Sequence, residues 1–248
     1  MSSFTNLKIY RIFQKCKLIL FILIKNQIMK VDQDVFDKLS VEHKYYFHPE
    51  LKSFYNEDKI RDIENTMCQN DPDIFTNFDE KRQNGVNDSE ICKIIRNDSI
   101  QEFVTFLNLT EIEISSLKIK PSIFETNPIL YKSTDIMEYA AFYGSNKIIK
   151  NLLTKIEIPH SILTFSMHSG NPKTIHLFEE KNEEIDGKTN ILTEAIKSHQ
   201  NNIADYLNNN YKFDDDIIDN CFHYANFLYL PEMTESQLAL YYLYSSKY

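Results

Sequence analysis

Glycine is scarce in this sequence, with only 4 among 248 residues. So few glycines disfavour both glycine-rich β architectures and the loops that cradle phosphate groups. The four cysteines are scattered, and none belongs to a CxxC or CxxxC pair. This spacing argues against a zinc ribbon or a disulfide framework and fits a reducing compartment. We therefore expect a cytoplasmic protein.

Catalytic motifs are also lacking. The sequence contains no HExxH, GxSxG, GxxxxGK[ST] or GxGxxG, the spacings that carry zinc, nucleophile and phosphate chemistry. The acidic run 214–216 lacks the alternation and the glycine of an EF-hand loop. The seven histidines show no spacing at which metal ligands would converge. We expect a protein that is not an enzyme, with no catalytic residues, metal site or cofactor.

Negative charge predominates, and its distribution is uneven. The net charge of −9 is the sum of +6 in residues 1–30 and −15 in residues 31–248. Because an acidic body repels phosphate backbones, we expect no nucleic-acid partner. The first 30 residues contain no acid and six basic residues: Lys8, Arg11, Lys15, Lys17, Lys25 and Lys30.

The basic N-terminal segment has no apolar run of transmembrane length. The longest run within residues 7–28, at 18–24, has seven residues, whereas a spanning helix needs about 20. Several interpretations of residues 1–28 stay open. The segment is a signal peptide without its usual cleavage site, a basic amphipathic helix on a membrane or on the protein body, or a gene-model extension before a natural start at Met29.

A pattern of two apolar groups around a central turn recurs along the chain. Residues 135–153 align with 161–179 at an offset of 26, and with 190–210 at a further offset of 29. A copy at 89–107 lies 46 residues before the first of these, and 217–227 is a degenerate last copy. The pattern predicts a helix, a tight turn and a second helix in each copy.

Small residues and turn residues define this pattern. The signature positions are Ala140, Ala141, Gly144, Ser166, Gly170 and Ala195. Glycine at the turn allows the left-handed conformation that ends a helix, and Asp98 and His199 take its place in two copies. Asn171 followed by Pro172 suits the start of the next helix. Small side chains before the turn would let neighbouring helix pairs approach closely.

These copies resemble ankyrin repeats. The stretch DIMEYAAFYGSNKIIKNLL has the paired alanines, the turn glycine and the I-I-x-x-L-L run of that consensus. It departs at its opening, where Asp135, Ile136 and Glu138 replace the consensus Thr, Pro and His. Residues 120–145, with NPKTIHLFEE and EAIKSHQNNIADYL downstream, more closely resemble a large family of divergent ankyrin-like proteins of trichomonad protists, known as a domain of unknown function.

The resemblance covers about residues 88–225 and implies an all-α fold. We expect an ankyrin-like α-solenoid of stacked helix-turn-helix repeats with an N-terminal helical cap. The expected domains are an extension at 1–28, a cap and linker at 29–86, repeats over 87–229 and a closing helix at 230–248. Within them, we expect a linker or long loop over 70–88 and repeats at about 87–110, 134–158, 160–185, 189–213 and 216–229.

The resemblance also implies a non-catalytic scaffold that binds another protein on a concave surface formed by first helices and turns. The expected contact residues are Glu138, Phe142, Tyr143, Thr164, His168, Glu194 and His199. The charge of −15 favours a partner with a basic surface. Two alternatives are an adaptor attached to a membrane through residues 7–28, if these are retained, and a regulatory subunit of an enzyme that uses residues 29–86.

Overall fold

The computed structural model of this chain describes residues 5–131, 134–180, 191–211, 217–232 and 234. In these residues α-helices predominate, so the all-α prediction is confirmed at that level. The strands found among them are two short ones, β1 (Lys118–Ile119) and β2 (Thr134–Asp135), which pair antiparallel. Apart from 230–232 and 234, the predicted closing helix lies outside the described residues.

The chain divides into two compact units, residues 1–139 and 140–248. The helices of the first unit are α1 (Asn6–Phe13), α2 (Lys17–Lys25), α3 (Gln33–Phe36), α4 (Val41–Tyr46), α5 (His48–Leu51), α6 (Glu57–Asn70), α7 (Phe78–Asn84), α8 (Glu90–Arg96) and α9 (Ile100–Thr110). Helix α10 (Ile136–Tyr143) contains the boundary. The helices of the second unit are α11 (Asn146–Leu152), α12 (Ile162–Ser169), α13 (Pro172–Glu179), α14 (Ile191–Lys197), α15 (Asn201–Asn210) and α16 (Ile217–His223).

The N-terminal segment is built into the core of the first unit. Thr5 caps α1 by accepting a hydrogen bond from the Lys8 backbone N–H, which satisfies one free donor of the first turn. Large side chains of α1 and α2 then pack with those of residues 29–51. The buried cluster consists of Tyr10, Leu20, Phe21, Met29, Val35, Leu39, Tyr46, Phe47 and Leu51. Residues 6–25 therefore share one core with the residues that follow Met29.

Lys17 ties α2 to a later part of the same unit. Its ammonium group donates a hydrogen bond of 2.8 Å to the Ile123 carbonyl and lies over the Tyr131 ring. Burial lowers the pKa of Lys17 to about 8, against the opposing effect of the nearby Glu125 carboxylate. Among the described residues, no helix is both long enough and apolar enough to cross a membrane.

A helix lies within the stretch predicted as a linker or long loop. Residues 78–84 form α7, which ends at Gly85 in the left-handed conformation. Arg82 of this helix is buried, and its guanidinium donates to the carboxylates of Glu50 and Asp79. The linker prediction is thus wrong for this segment, because the buried arginine finds its main partner 32 residues away in the sequence.

Candidate partner-binding surface

Each copy of the repeat turns at one residue with positive φ. These residues are Asp98 (47°), Gly144 (67°), Gly170 (60°), His199 (59°) and Ala225 (55°). At four of the five turns, all except that at Gly170, the next backbone N–H donates to a carbonyl of the first helix five residues earlier, as at Ser145 and Gln200. The left-handed turn thus recurs at the four positions that the sequence alignment equates, 98, 144, 170 and 199, and also at Ala225 in the degenerate last copy. The described residues have a helical repeat-like fold.

Small residues fill the buried side of the first helices. Ala140, Ala141, Ser166 and Ala195 are all fully buried. The Ser166 hydroxyl donates to the Ile162 carbonyl one turn earlier, so its polarity is satisfied inside its own helix. These positions therefore place small side chains on the buried face of the first helices.

The first helices of the second unit pack in succession. Helix α14 contacts both α12 and α16. At the turns, polar side chains join one copy to the next: Thr174 donates to the Asn146 side chain (3.0 Å), and Asn226 donates to the Asn201 side chain (2.8 Å). Asn171 caps α13 and Pro172 is its first residue, which confirms the predicted helix start. These contacts fix the register of neighbouring copies.

Gly170 also marks a close approach between successive turns. A Cβ built there would lie 2.3 Å from the side-chain oxygen of Gln200. The space that a larger residue would need is thus occupied by the following copy. In this structure the glycine serves both the left-handed turn and the contact between copies.

Four of the predicted contact residues belong to one continuous row of side chains, which we call the first-helix row. Its members are Phe142, Tyr143, His168 and Glu194, together with Lys197, which was not among the predicted residues. The Phe142 ring packs against Tyr143 and stacks on the His168 ring, both with centroid distances of 5.0 Å. His168 Nε2 lies 3.0 Å from Glu194 Oε2. Lys197 Nζ donates to the same carboxylate at 3.0 Å. The row therefore joins α10, α12 and α14 by side-chain contacts.

Glu194 is held as a carboxylate within this row. Burial opposes its ionisation, but hydrogen bonds from His168 and Lys197 outweigh that effect and hold its pKa below the ordinary value. The His168 side chain is only 9% exposed and that of Glu194 15%. A half-buried, hydrogen-bonded row of this kind is already ordered before a partner arrives, which lowers the entropic cost of binding.

The remaining predicted contact residues lie elsewhere. Glu138 accepts a hydrogen bond from the Asp135 backbone N–H (2.8 Å), while Asp135 accepts from Met137. The Glu138 carboxylate thus caps the start of α10. Thr164 is half-buried on α12, and His199 is exposed at its turn. Glu138 thus has a role at the helix start, and Thr164 and His199 are not members of the row as defined above.

A second polar cluster lies on the second helices, and the sequence analysis missed it. The Glu179 carboxylate accepts hydrogen bonds from the hydroxyls of Tyr206 and Tyr211, both at 3.0 Å, and lies 2.9 Å from His176 Nδ1. Burial and the neighbouring carboxylate raise the pKa of both tyrosines. The sequence does contain a signal for this cluster, because Tyr206 follows Glu179 by about one repeat length.

The described residues include four free cysteines together with histidines and carboxylates, the side chains that bind metal ions. No group of three or more His, Cys, Asp or Glu side chains is placed to hold a metal ion in that part of the chain. Burial raises the pKa of both Cys92 and Cys221, which disfavours their thiolate forms.

Part of the second unit is similar to a known family. Residues 154–231 match the model of a family described as a domain of unknown function (DUF3447). Neither the curated proteins nor the solved structures gave a match. The match supports the expected similarity to a family described as a domain of unknown function. It does not confirm the resemblance to ankyrin repeats. Over residues 154–231, the chain is similar to that family.

Proposed function

We propose that this chain is a non-catalytic protein-interaction module, an ankyrin-like α-solenoid that binds its partner along the first-helix row. The observation that carries this proposal is the continuity of that row. Side chains from three successive first helices contact one another through Phe142, His168 and Glu194. Rows of this kind on rigid helices are suited to holding an extended partner.

The composition of the row also favours protein binding. Aromatic side chains such as Phe142 and Tyr143 offer large contact areas with little rotamer entropy to lose. His168 and Glu194 supply hydrogen-bonding groups beside them. An apolar and polar mixture of this kind is typical of the centre of a protein interface.

The charge distribution favours a basic partner segment. The chain carries −15 over residues 31–248, and Glu194 keeps its negative charge inside the row. Opposite charge on the partner would speed encounter more than it would tighten the final complex. Association should therefore slow as salt concentration rises.

Affinity capture from the native cell, read by quantitative mass spectrometry, tests this proposal. The test variant is Tyr143→Ala, which removes an aromatic side chain of the row. The control variant combines Lys150→Ala with Lys173→Ala, two exposed residues of second helices. We expect the test variant to recover the specific partners at least tenfold less than the control, with both variants melting like the parent. Equal recovery by the two variants, or loss with the control alone, would contradict the proposal.

A further inference from the structure

The α1–α2 hairpin has an outer face that the core does not use. One side of each helix is buried in the N-terminal cluster, through Tyr10 on α1 and through Leu20 and Phe21 on α2. Residues on the opposite side of each helix point away from that cluster. Because α1 and α2 contact each other and share one core, we take their exposed sides together and call them the hairpin outer face.

Isoleucines are prominent on and next to this surface. Ile12 is 59% exposed, Ile19 38%, Ile22 48% and Ile28 61%. Ile19 and Ile22 are three residues apart in α2, so they share one side of that helix. Large apolar side chains exposed together are unusual enough to suggest a binding surface.

Basic residues are interspersed with these isoleucines along the sequence, and residues 5–30 contain no acidic residue. Lys8, Arg11 and Lys15 are exposed, and among the described residues their side chains form no ion pair. Lys25 and Lys30 are also exposed, and Lys25 donates to the Gln83 side chain. Residues 5–30 thus carry six basic side chains and no acid, whereas residues 31–248 carry a net charge of −15.

We propose that the hairpin outer face binds the surface of an anionic lipid bilayer. The isoleucines would enter the boundary between headgroups and acyl chains, while the lysines and Arg11 would attract the negative headgroups. The helices would lie on the membrane without crossing it, held by the core behind them. Exposed isoleucines favour a bilayer over nucleic acid, because a phosphate backbone offers them no apolar contact.

This inference is independent of partner binding by the first-helix row. It concerns residues 5–30 in the first unit, whereas the row lies in the second. Loss of one function would therefore leave the other measurable in the same full-length chain.

Sedimentation of the full chain with lipid vesicles tests the proposal. The probes are vesicles of phosphatidylcholine alone and vesicles containing 30% phosphatidylserine. We expect at least tenfold tighter binding to the anionic vesicles in about 0.1 M salt, and most of this difference should disappear in about 0.5 M salt, as screening predicts. Equal binding to both vesicle types, or no binding to either, would overturn the proposal.

Variants of the hairpin outer face sharpen this experiment. Lys8→Ala with Lys15→Ala should weaken binding to anionic vesicles by about fivefold for each charge removed. Ile19→Ser with Ile22→Ser should weaken it as well. The matched controls are Lys93→Ala and Leu109→Ser, exposed residues of α8 and α9, which should leave binding unchanged. Unfolding curves matching the parent would show that the variants fold.

Two competitors identify the alternative occupants. A fluorescent 20-nucleotide RNA that binds the chain more tightly than the vesicles do, through the same lysines, would assign the surface to nucleic acid. A shift of the vesicle-free chain to a dimer that the isoleucine changes abolish would assign it to a second copy. Either result would overturn the membrane assignment.

Discussion

Large aromatic side chains fill the N-terminal core, whereas the first helices of the second unit bury alanine or serine at the position that is equivalent in successive copies of the repeat. The first unit also buries a charged residue, Arg82, which pairs with Glu50, 32 residues away in the sequence, and with Asp79 of its own helix. The second unit repeats one short plan and joins its copies through turns. Two ways of filling space thus occur in one chain, and they predict different responses to mutation.

Removal of a large side chain should be most costly in the N-terminal core. Phe21 is buried and packs edge-on against Tyr46. We expect Phe21→Ala to lower the free energy of unfolding of the first unit by about 3–5 kcal/mol, since a cavity is added to the lost apolar burial. The half-exposed neighbour Ile22 is the control, and Ile22→Ala should cost about 0.5 kcal/mol. Urea unfolding would measure both, and equal costs would show that α2 does not belong to the core.

Addition of a large side chain should be most costly at the small positions of the repeats. Ala140 is fully buried, whereas Phe142 is only half-buried. Ala140→Leu should destabilise the fold by about 1–3 kcal/mol through overpacking, more than Phe142→Leu does. Thermal unfolding is the measurement. An unchanged melting temperature for Ala140→Leu would mean that the proposed repeat register is wrong.

Substitutions at the turns should change the free energy of unfolding by a smaller amount, and they can either raise or lower it. His199 adopts a left-handed conformation that suits glycine better. We expect His199→Gly to stabilise the second unit by about 1 kcal/mol. Gly170→Ala should destabilise it by about 1 kcal/mol, because alanine is strained at a φ of 60°, and the new Cβ would also displace the end of the Gln200 side chain. If both changes act in the same direction, the two turns are not equivalent.

The carboxylate of the first-helix row should give the smallest effect, and one that depends on pH. Because the folded-state pKa of Glu194 is lowered, its contribution is present above the unfolded pKa and is lost as pH falls through the folded value. Glu194→Gln should therefore cost about 1 kcal/mol near pH 6, and this cost should shrink as the pH falls below the ordinary carboxyl range. Stability measured across this range would decide, and a difference independent of pH would exclude an ionised Glu194.

The helical repeats could be predicted because their signals are local. The alignment equated Asp98 and His199 with glycine, and all these turn residues have positive φ. Glu179 and Tyr206 are separated by about the same period, so their hydrogen bond could have been predicted from the sequence. Residues one repeat apart are neighbours in space, and the period itself carries that information.

The N-terminal core could not be predicted because its contacts are not periodic. Arg82 lies in a polar stretch whose composition favours a loop, and its partner Glu50 is far away in the sequence. Residues 7–28 allowed four interpretations, since a basic apolar helix suits a membrane, a signal or a protein core equally well. Only the packing of Leu20 and Phe21 shows that α2 has a core-facing side.

Photo-crosslinking in the native cell tests the central claim, partner binding along the first-helix row, most directly. A photoreactive benzoylphenylalanine would replace either Tyr143 or Lys197 of the row, or either Lys150 or Lys173 on the second helices. We predict crosslinks to the same partner protein from the first two positions and none from the other two. Crosslinks from the second-helix positions alone would contradict the assignment of the binding surface.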